Sequence, residues 1–177
     1  MRAWYSIAAL PIALLAMPAS AQERGDFTLQ GRVNLRCVFL LPSAAISLGE
    51  LARGGSGASA GKLDTSRVNG QTRELLGFCN SAASEMTVEA QPLVNVTAQN
   101  APPGGFDRRV DYVATATVDD VDATDQSADA GAGPGQNVGR FIGRVAVTLS
   151  DASTPNSGIL VAGAYQGQVL VTLNPLP

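Results

Sequence analysis

From Phe27 to Phe39 the chain alternates with a period of two. Phe27, Leu29, Gly31, Val33, Leu35, Cys37 and Phe39 share one phase, and Thr28, Gln30, Arg32, Asn34 and Arg36 hold the other. A strand sends successive side chains to opposite faces, so this pattern makes a ribbon with one apolar and one polar side and puts no apolar stripe along a helix. The same period returns at Ile46 and Leu48, at Met86, Val88 and Ala90, at Val145, Val147 and Leu149, and from Tyr165 through Gly167, Val169 and Val171 to Leu173. Val94 to Ala98, Val110 to Val118 and Gly158 to Val161 are β-compatible by composition. Breakers fall between these runs: Gly54 to Gly61, Ala101 to Gly105, and Pro155-Asn156-Ser157-Gly158. Asp119 to Gln136 reads as a long acidic loop rich in glycine and alanine. Many short strands with turn signals and no helical stripe predict an all-β sandwich.

Residues 1–21 stand apart from this pattern. Met1-Arg2 is a short positive start, Ala3 to Met17 is apolar except for Ser6 and Pro11, and Ala19-Ser20-Ala21 has the small-x-small form of a signal-peptidase site. The apolar run is shorter than the roughly 20 residues that span a bilayer. The reading is an exported chain whose signal peptide covers 1–21, followed by one domain. Cys37 and Cys79 are both in the mature part, where an oxidising compartment favours their pairing.

Charge and residue inventory exclude whole classes of function. With 12 Lys and Arg against 15 Asp and Glu, a net charge of −3 and scattered cations, there is no footing for nucleic acid. The chain has no histidine, so the commonest general base is missing, and paired cysteines supply no thiolate; the expectation is no enzyme and no cofactor. Gly54 to Leu63 superficially resembles a phosphate-binding loop, but Ser56 stands where its first glycine belongs and Leu63 where the magnesium-binding hydroxyl belongs, so no nucleotide is expected. Asp119, Asp120, Asp122, Asp125 and Asp129 are numerous enough to gather calcium, yet lack the regular spacing, turn glycine and distal glutamate of a calcium loop; no metal site is assigned. Asn95-Val96-Thr97 fits the N-glycosylation triplet but falls within a predicted strand.

Four stretches in order, FTLQGRVNLRC at Phe27 to Cys37, ISLGEL at Ile46 to Leu51, FCN at Phe78 to Asn80 and YQGQVLVTL at Tyr165 to Leu173, frame nearly all of the mature chain. Together they resemble the chaperone–usher pilus subunits and the related spore coat protein U group. That resemblance implies an immunoglobulin-like sandwich lacking its last strand, with a groove filled first by a periplasmic chaperone and then, at an outer-membrane usher, by the N-terminal strand of the next subunit. It implies residues 22–35 as the donor strand, with Phe27, Leu29 and Val33 as plugs and Gly31 at a narrow position, ahead of a domain at 36–177. It also implies a Cys37–Cys79 disulfide near the base of the first strand, and Tyr165, Val169, Val171 and Leu173 on the strand edging the groove. The protein would pass through the periplasm to a surface fibre built from copies of itself or related subunits. The alternative is a monomeric secreted sandwich that binds a glycan or surface ligand, with Phe27 to Cys37 paired inside its own chain; both arrangements need the same alternation.

Overall fold

The computed structural model describes residues 23–98 and 100–177. The expected signal peptide and Gln22 lie outside the described residues. The chain divides into two units, Met1–Val33 and Asn34–Pro177.

In the first unit, residues 23–33 belong to no strand, and Phe27, Leu29 and Val33 are 83%, 83% and 84% exposed. A Cβ added at Gly31 would meet nothing within 4 Å among the described residues, and none of them requires a glycine there.

The second unit is a β-sandwich of ten strands: β1 (Cys37–Leu41), β2 (Thr72–Cys79), β3 (Ala83–Asn95), β4 (Phe106–Asp107), β5 (Arg109–Val118), β6 (Val121–Gln126), β7 (Gln136–Asn137), β8 (Phe141–Ser153), β9 (Ile159–Leu160) and β10 (Tyr165–Leu176). One 3-10 turn, Thr65–Arg67, is the only helical element among the described residues. Strands β1, β2, β8, β5 and β6 lie side by side, each antiparallel to its neighbour. Strand β5 meets β3 through Leu93 and Val94 opposite Val110 and Arg109, and β10 pairs β3 from Tyr165 opposite Asn95 to Leu176 opposite Ala83.

The alternation read from sequence sets which face is buried. Val110, Tyr112, Ala114, Ala116 and Val118 of β5, Met86, Val88 and Ala90 of β3, and Val145, Val147 and Leu149 of β8 form one core. Met86, Val88, Val110 and Val145 are completely enclosed, each stabilising the fold by about 1.5–3 kcal/mol relative to exposure.

Three elements differ from the sequence reading. Ile46 and Leu48 form no strand, although both are half-buried against the core, so their alternation reflects one-sided burial without a ladder. Strand β3 stops at Asn95, whose Oδ1 accepts from the N–H groups of Thr97 and Ala98 and turns the chain away before Ala98. The segment expected as a long acidic loop contains β6: Asp119 and Asp120, both at positive φ, make a two-residue hairpin that places Val118 opposite Val121.

Candidate functional site

An open groove lies between two unfinished edges of the second unit. Strand β1 pairs only with β2, and β10 only with β3, leaving each with a free edge among the described residues. The β10 residues Val169, Val171 and Leu173 stand opposite Ala90, Val88 and Met86 of β3 in the ladder. Those three β3 side chains are buried, whereas Tyr165, Val169, Val171 and Leu173 are only half-buried. The inner face of β10 is the incompletely covered side of the core.

Two adjoining cavities follow this line. One, of about 470 Å³, is walled by Phe39, Pro42 to Ile46 and Leu48 on one side and Gly167 to Val171 on the other, over a floor of Leu75, Leu93, Tyr112, Val147 and Leu149. The other, of about 730 Å³, lies between Ile46 to Ala52 and Leu160 to Gly167. Leu173 lines neither; its Cδ1 approaches the face of Gly77 beside Phe39, so the groove narrows toward the Cys37 end.

The floor and far end are pinned by buried polar groups. The Tyr112 hydroxyl lies 2.6 Å from the carbonyl of Gln91 and 3.1 Å from that of Gln168, tying β3 to β10 where their register slips between Gln166 and Gln168. Burial pushes its pKa up to about 12, so the phenol stays a neutral donor. Gly167 sits within the slip, and a Cβ there would come within 2.9 Å of the carbonyl oxygens of Gln91 and Pro92, so glycine is required. At the far end Tyr165 donates to the Val161 carbonyl at 2.8 Å; burial, reinforced by the charge of Asp107, raises its pKa. Asp107 is buried and accepts from Gly158 N at 2.7 Å and Asn156 Nδ2 at 2.7 Å. Burial drives its pKa upward, but these hydrogen bonds outweigh it and hold the carboxyl below its usual value.

Cys37 and Cys79 form a disulfide directly across the β1–β2 ladder, with Cα atoms 4.2 Å apart. Such a bond belongs to an oxidising, exported compartment. No helix among the described residues is long and apolar enough to cross a membrane.

The other sequence candidates separate in space. Asn95 is buried, its Nδ2 donating to the carbonyls of Val161 and Ala162, so the glycosylation triplet is occupied in holding the fold. Among the acidic residues, Asp125 is buried and accepts from Ala90 N at 2.8 Å, while Asp122 faces the other side of β6 and is exposed. No three His, Cys, Asp or Glu side chains converge on a metal position among the described residues. Sequence reasoning named the β10 edge but missed the opposite wall and the floor, Phe39, Ile46, Leu48, Leu75, Leu93 and Tyr112. The signal for them was weak, because an apolar residue under an open groove looks the same in sequence as one under a closed core. No family model, curated protein or solved structure matches the chain.

Proposed function

We propose that this chain is a structural subunit of a bacterial surface fibre, and that its groove takes the N-terminal segment of another copy as a missing strand. The reading rests on one observation above all: the inner face of β10 is half-covered while its partner β3 is buried. A free strand edge over an apolar floor is the setting in which strand addition supplies both backbone pairing and side-chain pockets. The segment carrying Phe27, Leu29 and Val33 has the matching form, with three large apolar groups in one phase, all exposed. From Phe27 to Val33 a strand extends roughly 20 Å, the reach of β10 from Tyr165 to Val171. Burying the three side chains gives a gross gain of about 5–9 kcal/mol before ordering costs. Because the segment and the groove are different surfaces, the contact is heterologous and propagates into a filament. Before assembly a periplasmic chaperone would cover the groove, and an outer-membrane usher would be the place of exchange.

Hydrogen exchange on β10 tests this. A synthetic peptide of residues 22–35 added to the chain should slow exchange of β10 edge amides and of β1, and a peptide with Phe27 and Leu29 replaced by Asp should not. Equal protection by both peptides, or none by either, rejects the donor strand and returns the groove to the monomeric binding module.

A further inference from the structure

The outer face of the β1–β2–β8–β5–β6 sheet, on the side away from the core, has two unlike halves. On β1, β2 and β8 the ladder lines up Val38, Phe78 and Ile142 in one row and Leu41, Leu76 and Arg144 in the next. Ile142 is 81% exposed in the middle of a sheet, and Leu41 is 59% exposed. Arginines bracket the apolar rows. Ile142 and Arg144 share one face of β8, the exposed Arg140 directly precedes that strand, and Arg36 is tied to Asn80 at the head of the β1–β2 ladder by Asn80 N to Arg36 O at 3.0 Å and Arg36 N to Asn80 Oδ1 at 2.7 Å. An aliphatic centre exposed at Ile142 and Leu41, flanked by the half-buried Val38, Leu76 and Phe78 and bordered by arginines, has the anatomy of a protein interface.

The other half of the same face has the complementary chemistry. On β5 and β6, Thr115 opposes Thr124 and Thr117 opposes Asp122, with Asp119 and Asp120 on the connecting hairpin. Asp119, Asp120 and Asp122 are exposed, and no ion pair among the described residues involves them, Arg36 or Arg140, whereas Arg144 is paired with Glu74 of β2 at 3.2 Å.

We propose that the β1–β2–β8 half of this face docks the β5–β6 half of a second copy of the chain. Arg36 and Arg140 would meet Asp119, Asp120 and Asp122, and Ile142 and Leu41 would cover the threonine methyls. The partner is set by charge: the cationic patch stands on a chain of net charge −3, whose own acidic hairpin occupies the far side of the same sheet. This contact lies on the opposite side of the sheet from the groove and makes lateral association in addition to strand exchange.

Sedimentation equilibrium of the exported full chain, with the 22–35 peptide in excess to occupy the groove, is the test. Association should persist with the peptide present and weaken as salt rises from about 0.05 M to about 0.5 M. Ile142→Glu, at an exposed position that leaves the core intact, should weaken it by roughly tenfold or more. Asp119→Asn with Asp120→Asn keeps residues that tolerate the left-handed backbone and should weaken it similarly. Arg36→Glu with Arg140→Glu should abolish association, and adding Asp122→Arg should restore part of it. A chain that stays monomeric with the groove filled, or association indifferent to salt and to Ile142→Glu, overturns the proposal. The donor strand is judged separately, by whether the peptide binds at all.

Discussion

Tyr112 and Asp107 do opposite electrostatic jobs at the groove, and each gives a pH-dependent expectation. In the unfolded chain a tyrosine ionises near 10, whereas burial raises Tyr112 to about 12. Between those values the unfolded state loses the proton and the folded state keeps it, so stability falls as pH rises through this window, by about 2–3 kcal/mol in all. Tyr112→Phe should remove most of that alkaline slope while costing about 1 kcal/mol at neutral pH for the lost hydrogen bonds; denaturant melts across pH 9 to 12, with phenolate absorbance, measure both. Asp107 has the reverse sign. Its folded pKa is depressed, so its stabilisation is present above the ordinary carboxylate value of 3.8 and disappears as pH falls through the lower, folded value. Asp107→Ala leaves Gly158 N–H and the Asn156 amide without their acceptor and should cost about 2–4 kcal/mol, with the loss of protection in amide exchange centred on the 154–158 turn. Neither role was visible in the sequence. An isolated Tyr or Asp carries no periodicity, and its partners, Gln91, Gln168 and Gly158, come from distant elements.

At the scale of elements, strands that bury one complete face were legible and those that depend on a neighbour were less so. The runs Met86 to Ala90, Val110 to Val118 and Val145 to Leu149 lie in strands whose alternation coincides with a buried row, and Tyr165 to Leu173 lies in a strand whose same alternation is only half-buried. Strand β6 was hidden because Asp122 and Asp125 fall on opposite faces, so charge masked the Val121, Ala123 phase; only the backbone of the Asp119-Asp120 turn makes the hairpin evident. The first run was expected to be strand from Phe27 onward, whereas ladder pairing begins at Cys37. Periodicity specifies a face to bury but not the chain that covers it. The disulfide is where element and residue meet: Cys37 and Cys79 are direct ladder partners, and the bond closes a loop of sequence separation 42 across the β1–β2 pair. In the loop-closure account it is worth about 4 kcal/mol. Cys37→Ala with Cys79→Ala should lower unfolding stability by about 2–5 kcal/mol and, since Cys37 starts the β1 wall of the groove, should also speed amide exchange in β1 more than in β5. Equal acceleration in both strands would assign the bond a purely global effect.

For the whole molecule the decisive question is whether the first unit contributes to the core of the second. The core residues of the second unit all come from Leu51 or later, and the partly buried side chains packed on them begin at Cys37. If residues 22–33 serve another copy, deleting them from the mature chain removes Phe27, Leu29 and Val33, which are exposed, and leaves the disulfide, the ladder from β1 to β10 and the core of the second unit, all built from Cys37 onward. The truncated chain should fold and stay monomeric or chaperone-bound, should be raised in melting temperature by an added 22–35 peptide, and should fail to form filaments. The full chain should polymerise, and Gly31→Phe should slow that step while leaving the melting of the full chain unchanged, because a Cβ at Gly31 meets nothing within 4 Å among the described residues. Intrachain pairing of the same segment gives the contrary result. Losing several buried apolar side chains at about 2–5 kcal/mol each would exceed the stability of an ordinary domain, so the truncation would unfold while the full chain remained a monomer. Thermal unfolding and size-exclusion behaviour of the two chains, with and without the peptide, separate these outcomes, and an unfolded truncation beside a stable monomeric full chain would reject strand exchange.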